Sequence, residues 1–142
     1  MVNNNNNTTF DWCDYYNLAK ELNENEDLTE AKLRVIISKS YYCAFCLSRN
    51  FLRDKMNDPD LQDKYGKNRN GKFFNSHKHV GEQFSNDPNN PIWHDIGKSL
   101  RTLRTNRNSA DYHDEFEGKL EFESEMSLKL SKDIYNYLKQ LY

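Results

Sequence analysis

A chain of 142 residues, 36% of them apolar, is long enough to bury one core without staples. Its formal net charge of −2 gives no global pull toward nucleic acid, so any such binding must come from local clusters. With 30% charged residues, 5 Gly and 3 Pro, the composition suits a largely helical protein.

The opening "MVNNNNNTT" lacks the basic head and apolar segment of a secretory signal. No apolar run is long enough to span a bilayer, so no membrane partner and a cytoplasmic location are expected. Residues 1–8 read as a disordered Asn-rich tail, ahead of a single helical domain over 9–142.

Helical spacing predicts a first helix from Phe10 to Asn25, with Tyr15, Leu18, Ala19 and Leu22 on one face. Asp27 followed by Glu30 resembles a capping box and predicts the start of a second helix. That helix continues to about Lys55 and carries Ala31, Val35, Tyr42, Phe45 and Leu52. Cys43 and Cys46 have the spacing of a metal or redox pair. They lie inside the apolar "YYCAFCL" with no second pair downstream, and Cys13 makes the cysteine number odd. Free thiols packed as small apolar groups are therefore expected, with no metal and no cofactor.

Asn57 to Gly71 reads as a loop broken by Pro59, Gly66 and Gly71, and Lys64, Lys67, Arg69 and Lys72 make its second half basic. A third helix sets Phe73, His77, Val80 and Phe84 at helical steps, and His77 reads as a satisfied core residue. "SNDPNNP" ends it, and Pro91 suits the first turn of a fourth helix, where a missing N–H costs nothing. A fifth helix after Gly118 shows Met126, Leu130, Ile134 and Leu138 at steps of four. No strand pattern competes. The expected fold is an all-α bundle of four to five helices.

The fourth helix raises a question of chemistry. Its stripe runs Ile92, Ile96, Leu100, Leu103, then reaches Arg107, Ala110 and His113. A guanidinium on a core-facing stripe is costly unless something negative meets it. Either Asp111, one turn onward, neutralises Arg107, or the guanidinium waits for a phosphate that its planar fork matches. His113 is a candidate general acid or base, or else an ordinary histidine at a helix end. On an ideal helix it lies about 120° around and about 9 Å along from Arg107, so one straight helix converges them poorly. A helix end between them, or two copies in a dimer, would bring them together. Lys98, Arg101, Arg104 and Arg107 recur every three residues and form a basic ridge suited to a phosphate backbone, or a solvated face. Tyr41, Tyr42 and Tyr112 offer rings for stacking on bases, and the first two also suit a packed interior.

The ordered blocks "SKSYYCAF", "HKHVGEQF" and "LRTLRTNRNSADYH" resemble the HEPN superfamily, the higher-eukaryote-and-prokaryote nucleotide-binding domain. The likeness is to its small stand-alone prokaryotic branch and covers roughly Leu28 to His113. It implies a HEPN-like helical bundle that forms a homodimer, with two Arg/His motifs meeting in a cleft. Active members are metal-independent endoribonucleases, commonly toxins or antiviral and abortive-infection effectors. Many are encoded beside a nucleotidyltransferase-like antitoxin or serve with another defence partner. Carried over, Arg107 would neutralise the scissile phosphate and His113 would move the proton of the attacking 2′-hydroxyl. Asn108 would hold substrate or the histidine. The RNA contacts expected from the ridge and the aromatic rings, independent of the resemblance, are Lys98, Arg101, Arg104 and Tyr112. The sequence departs from one subgroup in having "DEF" after His113, with no Tyr there to receive an antitoxin-directed nucleotide. The alternatives are a non-catalytic RNA- or nucleotide-binding accessory module and a purely structural dimerisation domain.

Overall fold

A computed structural model describes residues 9–142; the Asn-rich segment 1–8 lies outside the described residues. Five helices follow one another: α1 (Cys13–Asn23), α2 (Glu30–Asp54), α3 (Ser76–Ser85), α4 (Pro91–Tyr112) and α5 (Leu120–Leu141). Among the described residues there is no strand, only an isolated bridge between Lys67 and Phe73. The all-α bundle is what the periodicity predicts. No helix of the described residues is long and apolar enough to cross a membrane.

The long helix α2 is the hub, packing against α1, α3, α4 and α5. Tyr41, Phe45 and Leu52 of α2 meet Val80 and Phe84 of α3 in one core. Ile96, Leu100 and Leu103 of α4 and Ile134 and Leu138 of α5 complete it. A satellite cluster of Ala19, Leu33 and Ile36 fastens α1 to α2.

Several local expectations shift. Thr29, not Asp27, caps α2: its hydroxyl accepts from the Lys32 N–H at 3.3 Å, leaving Asp27 outside the helix. The inner face of α2 is Leu33, Ile36, Ile37, Ser40 and Tyr41, while Ala31 and Val35 are exposed. On α1 only Ala19 is buried and Leu18 is exposed. The third helix starts at Ser76, where the Asn75 side chain accepts from the Lys78 N–H at 3.1 Å. Phe73 therefore falls in the preceding loop and is exposed. On α5, Met126 and Leu130 are only half-buried, and Ser124, Ser127 and Ser131 join Ile134 and Leu138 on the inner line. Small side chains let the α5 backbone approach α2 closely, and Ser131 meets the Cys43 thiol there.

Helix α4 begins as expected. The Asn90 side chain accepts from the N–H groups of Ile92 and Trp93, with Pro91 in the first turn. It ends at His113, whose N–H bonds back to the Ser109 carbonyl. Gly97 sets how closely α4 approaches α3. A Cβ there would lie 2.3 Å from Ser85 Oγ and 2.7 Å from the Ser85 backbone nitrogen.

Candidate functional site

Continuing the apolar stripe of α4 carries Arg107 into the interior, where it is 6% exposed. Its surroundings are aromatic. The guanidinium carbon lies 4.9 Å from the Tyr41 ring centroid, 5.4 Å from Tyr42 and 5.8 Å from Tyr112. One terminal nitrogen donates to Tyr42 Oη at 3.3 Å, and the buried Nε has no acceptor. Asp111 does not neutralise it: that carboxylate accepts from Ser38 Oγ at 3.2 Å. Arg107 takes part in none of the ion pairs among the described residues. Ring faces supply partial compensation, of about 2 kcal/mol per desolvated cation–π contact, against a larger cost of removing a cation from water. The arrangement leaves a desolvated positive charge without its anion.

Beside Arg107 lies a second unusual group. The Tyr41 hydroxyl and His77 Nδ1 share a hydrogen bond, and the His77 ring stacks on Phe45 with centroids 4.0 Å apart. Burial pushes the Tyr41 phenol well above its ordinary value. Burial, then the nearby Arg107, Arg104 and Arg49 charges, push His77 down to about 4. Both groups are therefore neutral near pH 7. The phenol proton has no other acceptor among the described residues, so Tyr41 donates to Nδ1 and the ring hydrogen sits on Nε2. That nitrogen has no partner among the described residues and is not sealed from solvent.

His77 faces a cleft of about 300 Å³ between α3 and α4. Arg101, Arg104 and Asn108 line it from α4, with Phe45 and Leu100 as its apolar floor. Arg104 repeats the pattern of Arg107: its Nε is buried and unpartnered. One carboxylate lines the cleft, that of Glu82, 3.8 Å from the Lys78 ammonium on the same helix.

The basic ridge thus divides. Lys98 and Arg101 are exposed, Arg101 and Arg104 line the cleft, and Arg107 turns inward. Tyr112 is 70% exposed beside the Arg107 guanidinium. His113 is exposed on a shallow face that it shares with Asp111, Tyr112 and Asp114. One chain therefore brings Arg101, Arg104, Asn108 and His77 to one cleft, while His113 lines a face that does not include Arg107. α4 runs unbroken between them, so the helix end comes too late to converge the pair.

Two residues carry more than the sequence signalled. His77 sits on the α3 stripe as read, but its side chain also lines the cleft and its second nitrogen is not sealed from solvent. Arg34 of α2 caps the end of α4 by donating to the Ala110, His113 and Asp114 carbonyls at 3.0, 2.7 and 3.0 Å, with Glu30 bracing it. No motif announces such a role, because every α4 acceptor is backbone.

The remaining polar clusters are structural. Arg69 of the basic loop is held by Asp60 in a bidentate pair, which keeps the Asp60 carboxyl well below its usual range. Asp58 binds His79 Nε2 at 2.8 Å and the Asp60 N–H at 3.0 Å, tying the loop to α3. These three side chains, Asp58, Asp60 and His79, lie close together, and hydrogen bonds already occupy them. The three thiols are free; burial pushes Cys43 up to about 12 and Cys46 to about 11, as expected of packed cysteines. No family model, curated protein or solved structure matches the chain.

Proposed function

We propose that this protein is a HEPN-type endoribonuclease that works without a metal ion, at a site completed by a second copy of the chain. The observation that carries the reading is Arg107, a nine-tenths buried guanidinium with no carboxylate partner and an orphaned Nε. An unpaired buried cation is expensive, and a phosphodiester is the ligand whose charge and fork-matching oxygens compensate it. The exposed Tyr112 ring beside the guanidinium supplies a surface on which a base can stack.

The chemistry follows from the residue types. The 2′-hydroxyl next to the scissile phosphate attacks phosphorus as His113 takes its proton. The phosphorus–5′-oxygen bond breaks, the leaving oxygen is protonated, and a 2′,3′-cyclic phosphate remains. Arg107 stabilises the charge that gathers on the non-bridging oxygens. Asn108, on the cleft wall one residue further, orients the strand. His113 is exposed at the end of α4, where a second chain can present it to the first chain's Arg107. Such a protein would act as a toxin or a defence effector, held in check by a nucleotidyltransferase-like or other partner.

The test is cleavage of single-stranded RNA by the purified chain in excess chelator. Cyclic-phosphate products are expected, with resistance in strands lacking the 2′-hydroxyl at the cut position. Whole RNA after incubation with wild type refutes the enzyme. A second reading, a non-catalytic RNA-binding module, is favoured by one fact: α4 is unbroken from Arg107 to Tyr112, so one chain does not converge His113 on the arginine. RNA that binds and stays intact selects it.

A further inference from the structure

The cleft between α3 and α4 has its own donors, and they point to a ligand independently of His113. On its wall, Arg104 has a buried Nε without an acceptor. Buried donors in folded proteins are nearly always satisfied, so a charged one beside an open cleft calls for an acceptor from outside the chain. The His77 ring adds a second donor, Nε2–H, fixed in direction by the Tyr41 hydroxyl on its other nitrogen.

We propose that this cleft is a phosphate-binding site complete within one chain, with His77, oriented by Tyr41, as a hydrogen-bond donor and Arg101 and Arg104 as its charges. The facing groups are all accounted for. Arg101, Arg104 and Arg107 come from α4, Arg49 and Tyr41 from α2, and Lys78 and Glu82 from α3. Cations outnumber the single carboxylate, and that carboxylate already has an ammonium beside it. A cationic ligand is thereby disfavoured, and a carboxylate ligand would leave some of the convergent donors unmet. A phosphate offers enough oxygens for several. The apolar floor of Phe45 and Leu100 gives the attached ribose or base a surface, and about 300 Å³ accommodates roughly one nucleotide unit. The neutrality of His77 near pH 7 makes it a donor whose binding needs no proton uptake. The site shares Asn108 with the cleavage reading but requires neither a second copy nor His113.

Long-range ¹H–¹⁵N spectra of the full chain at pH 7 follow the His77 ring nitrogens as ligand is added. The probes are inorganic phosphate and a 2′-deoxy dinucleotide, which has a diester that this chemistry does not cleave. The expected result is a saturable shift at Nε2 while Nδ1 keeps its acceptor signature. Arg101→Gln and His77→Phe should each weaken the tighter probe by about tenfold or more. Much tighter binding of the dinucleotide assigns the site to a nucleic-acid strand, and equal binding of both assigns it to a free phosphate group; either supports the proposal. No shift with either probe, or unchanged affinity in the variants, overturns it. Should His77→Phe fold poorly, Arg101→Gln decides alone, since Arg101 is exposed and has no side-chain partner among the described residues. Loss of cleavage with this binding intact would sink only the enzyme reading.

Discussion

Arg107 and His77 set the energetics at the scale of single residues, and each gives a prediction about stability. Arg107 is buried beside three tyrosine rings and lacks an anion. Replacing a poorly compensated buried charge by an apolar chain of similar length is often neutral or stabilising. Arg107→Met should therefore keep the fold and raise unfolding stability by about 1 kcal/mol in urea titrations, while cleavage disappears. A loss of several kcal/mol would mean that the guanidinium is a structural strut. His77 has a folded-state pKa of about 4 against an ordinary 6.5. Below 6.5 the unfolded chain accepts a proton that the folded ring refuses, so this group's contribution is lost as pH falls from 6.5 toward 4. It contributes nothing above 6.5 and no further loss below 4. Solvent at the open side of the ring screens part of the effect, so the expected drop between pH 7 and pH 5 is about 1 kcal/mol, and His77→Phe should remove that part of the slope. Denaturant titrations at the two pH values check it; equal slopes in parent and variant count against the depressed histidine. Arg107 was legible in the sequence because it lies on a stripe whose middle, from Ile96 to Ala110, is buried. The stripe fails at its ends, where Ile92 is half-buried and His113 exposed. The second role of His77 was not, because it depends on a hydrogen bond to Tyr41, 36 positions earlier.

Among elements, α4 positions nearly everything, and Gly97 sets its distance from α3. Alanine normally stabilises a helix interior relative to glycine by about 1 kcal/mol. Here the added Cβ would meet the Ser85 backbone at 2.7 Å, which a flexible side chain cannot relieve. Gly97→Ala should instead destabilise by about 1–3 kcal/mol and disturb the cleft wall. A thermal melt showing a gain would mean that the helices separate freely. The cleft-facing part of the ridge makes a different prediction. Replacing Arg101 and Arg104 together by Gln should weaken single-stranded RNA binding and flatten the log-affinity against log-salt slope by about 1–1.5. An unchanged slope would reduce the ridge to a solvated face. Periodicity revealed all five helices, although α1 buries only Ala19 fully. It misplaced the inner line of α5, because the residues closest to α2 are serines rather than the large apolar side chains that a hydrophobicity pattern weights. For the same reason Leu33 and Ile36 replaced Ala31 and Val35 on α2: several phases of an apolar-rich helix read alike until neighbouring helices choose one.

For the molecule as a whole, the separation of Arg107 from His113 is the fact that any ribonuclease mechanism must overcome. α4 is continuous between the two residues, and its end is pinned by Arg34. Rearrangement within one chain would have to break those carbonyl contacts. A two-fold dimer needs no such change, because symmetry presents each exposed His113 to a partner and creates two equivalent sites. Mixing two inactive variants distinguishes the possibilities. Arg107→Ala retains His113, and His113→Ala retains Arg107; each alone should lose about 10²–10⁴-fold in rate. If each site takes its arginine from one chain and its histidine from the other, a mixed dimer contains one intact site and one doubly dead one. Random re-association of equal amounts should then restore about a quarter of wild-type cleavage. If both groups act from the same chain, every site in the mixture carries a lesion and no activity returns. Size determination must accompany the assay, with a dimer expected at micromolar protein. A monomer that still cuts RNA would rule out the composite site, and His113→Ala cutting as well as its parent would remove His113 from the chemistry.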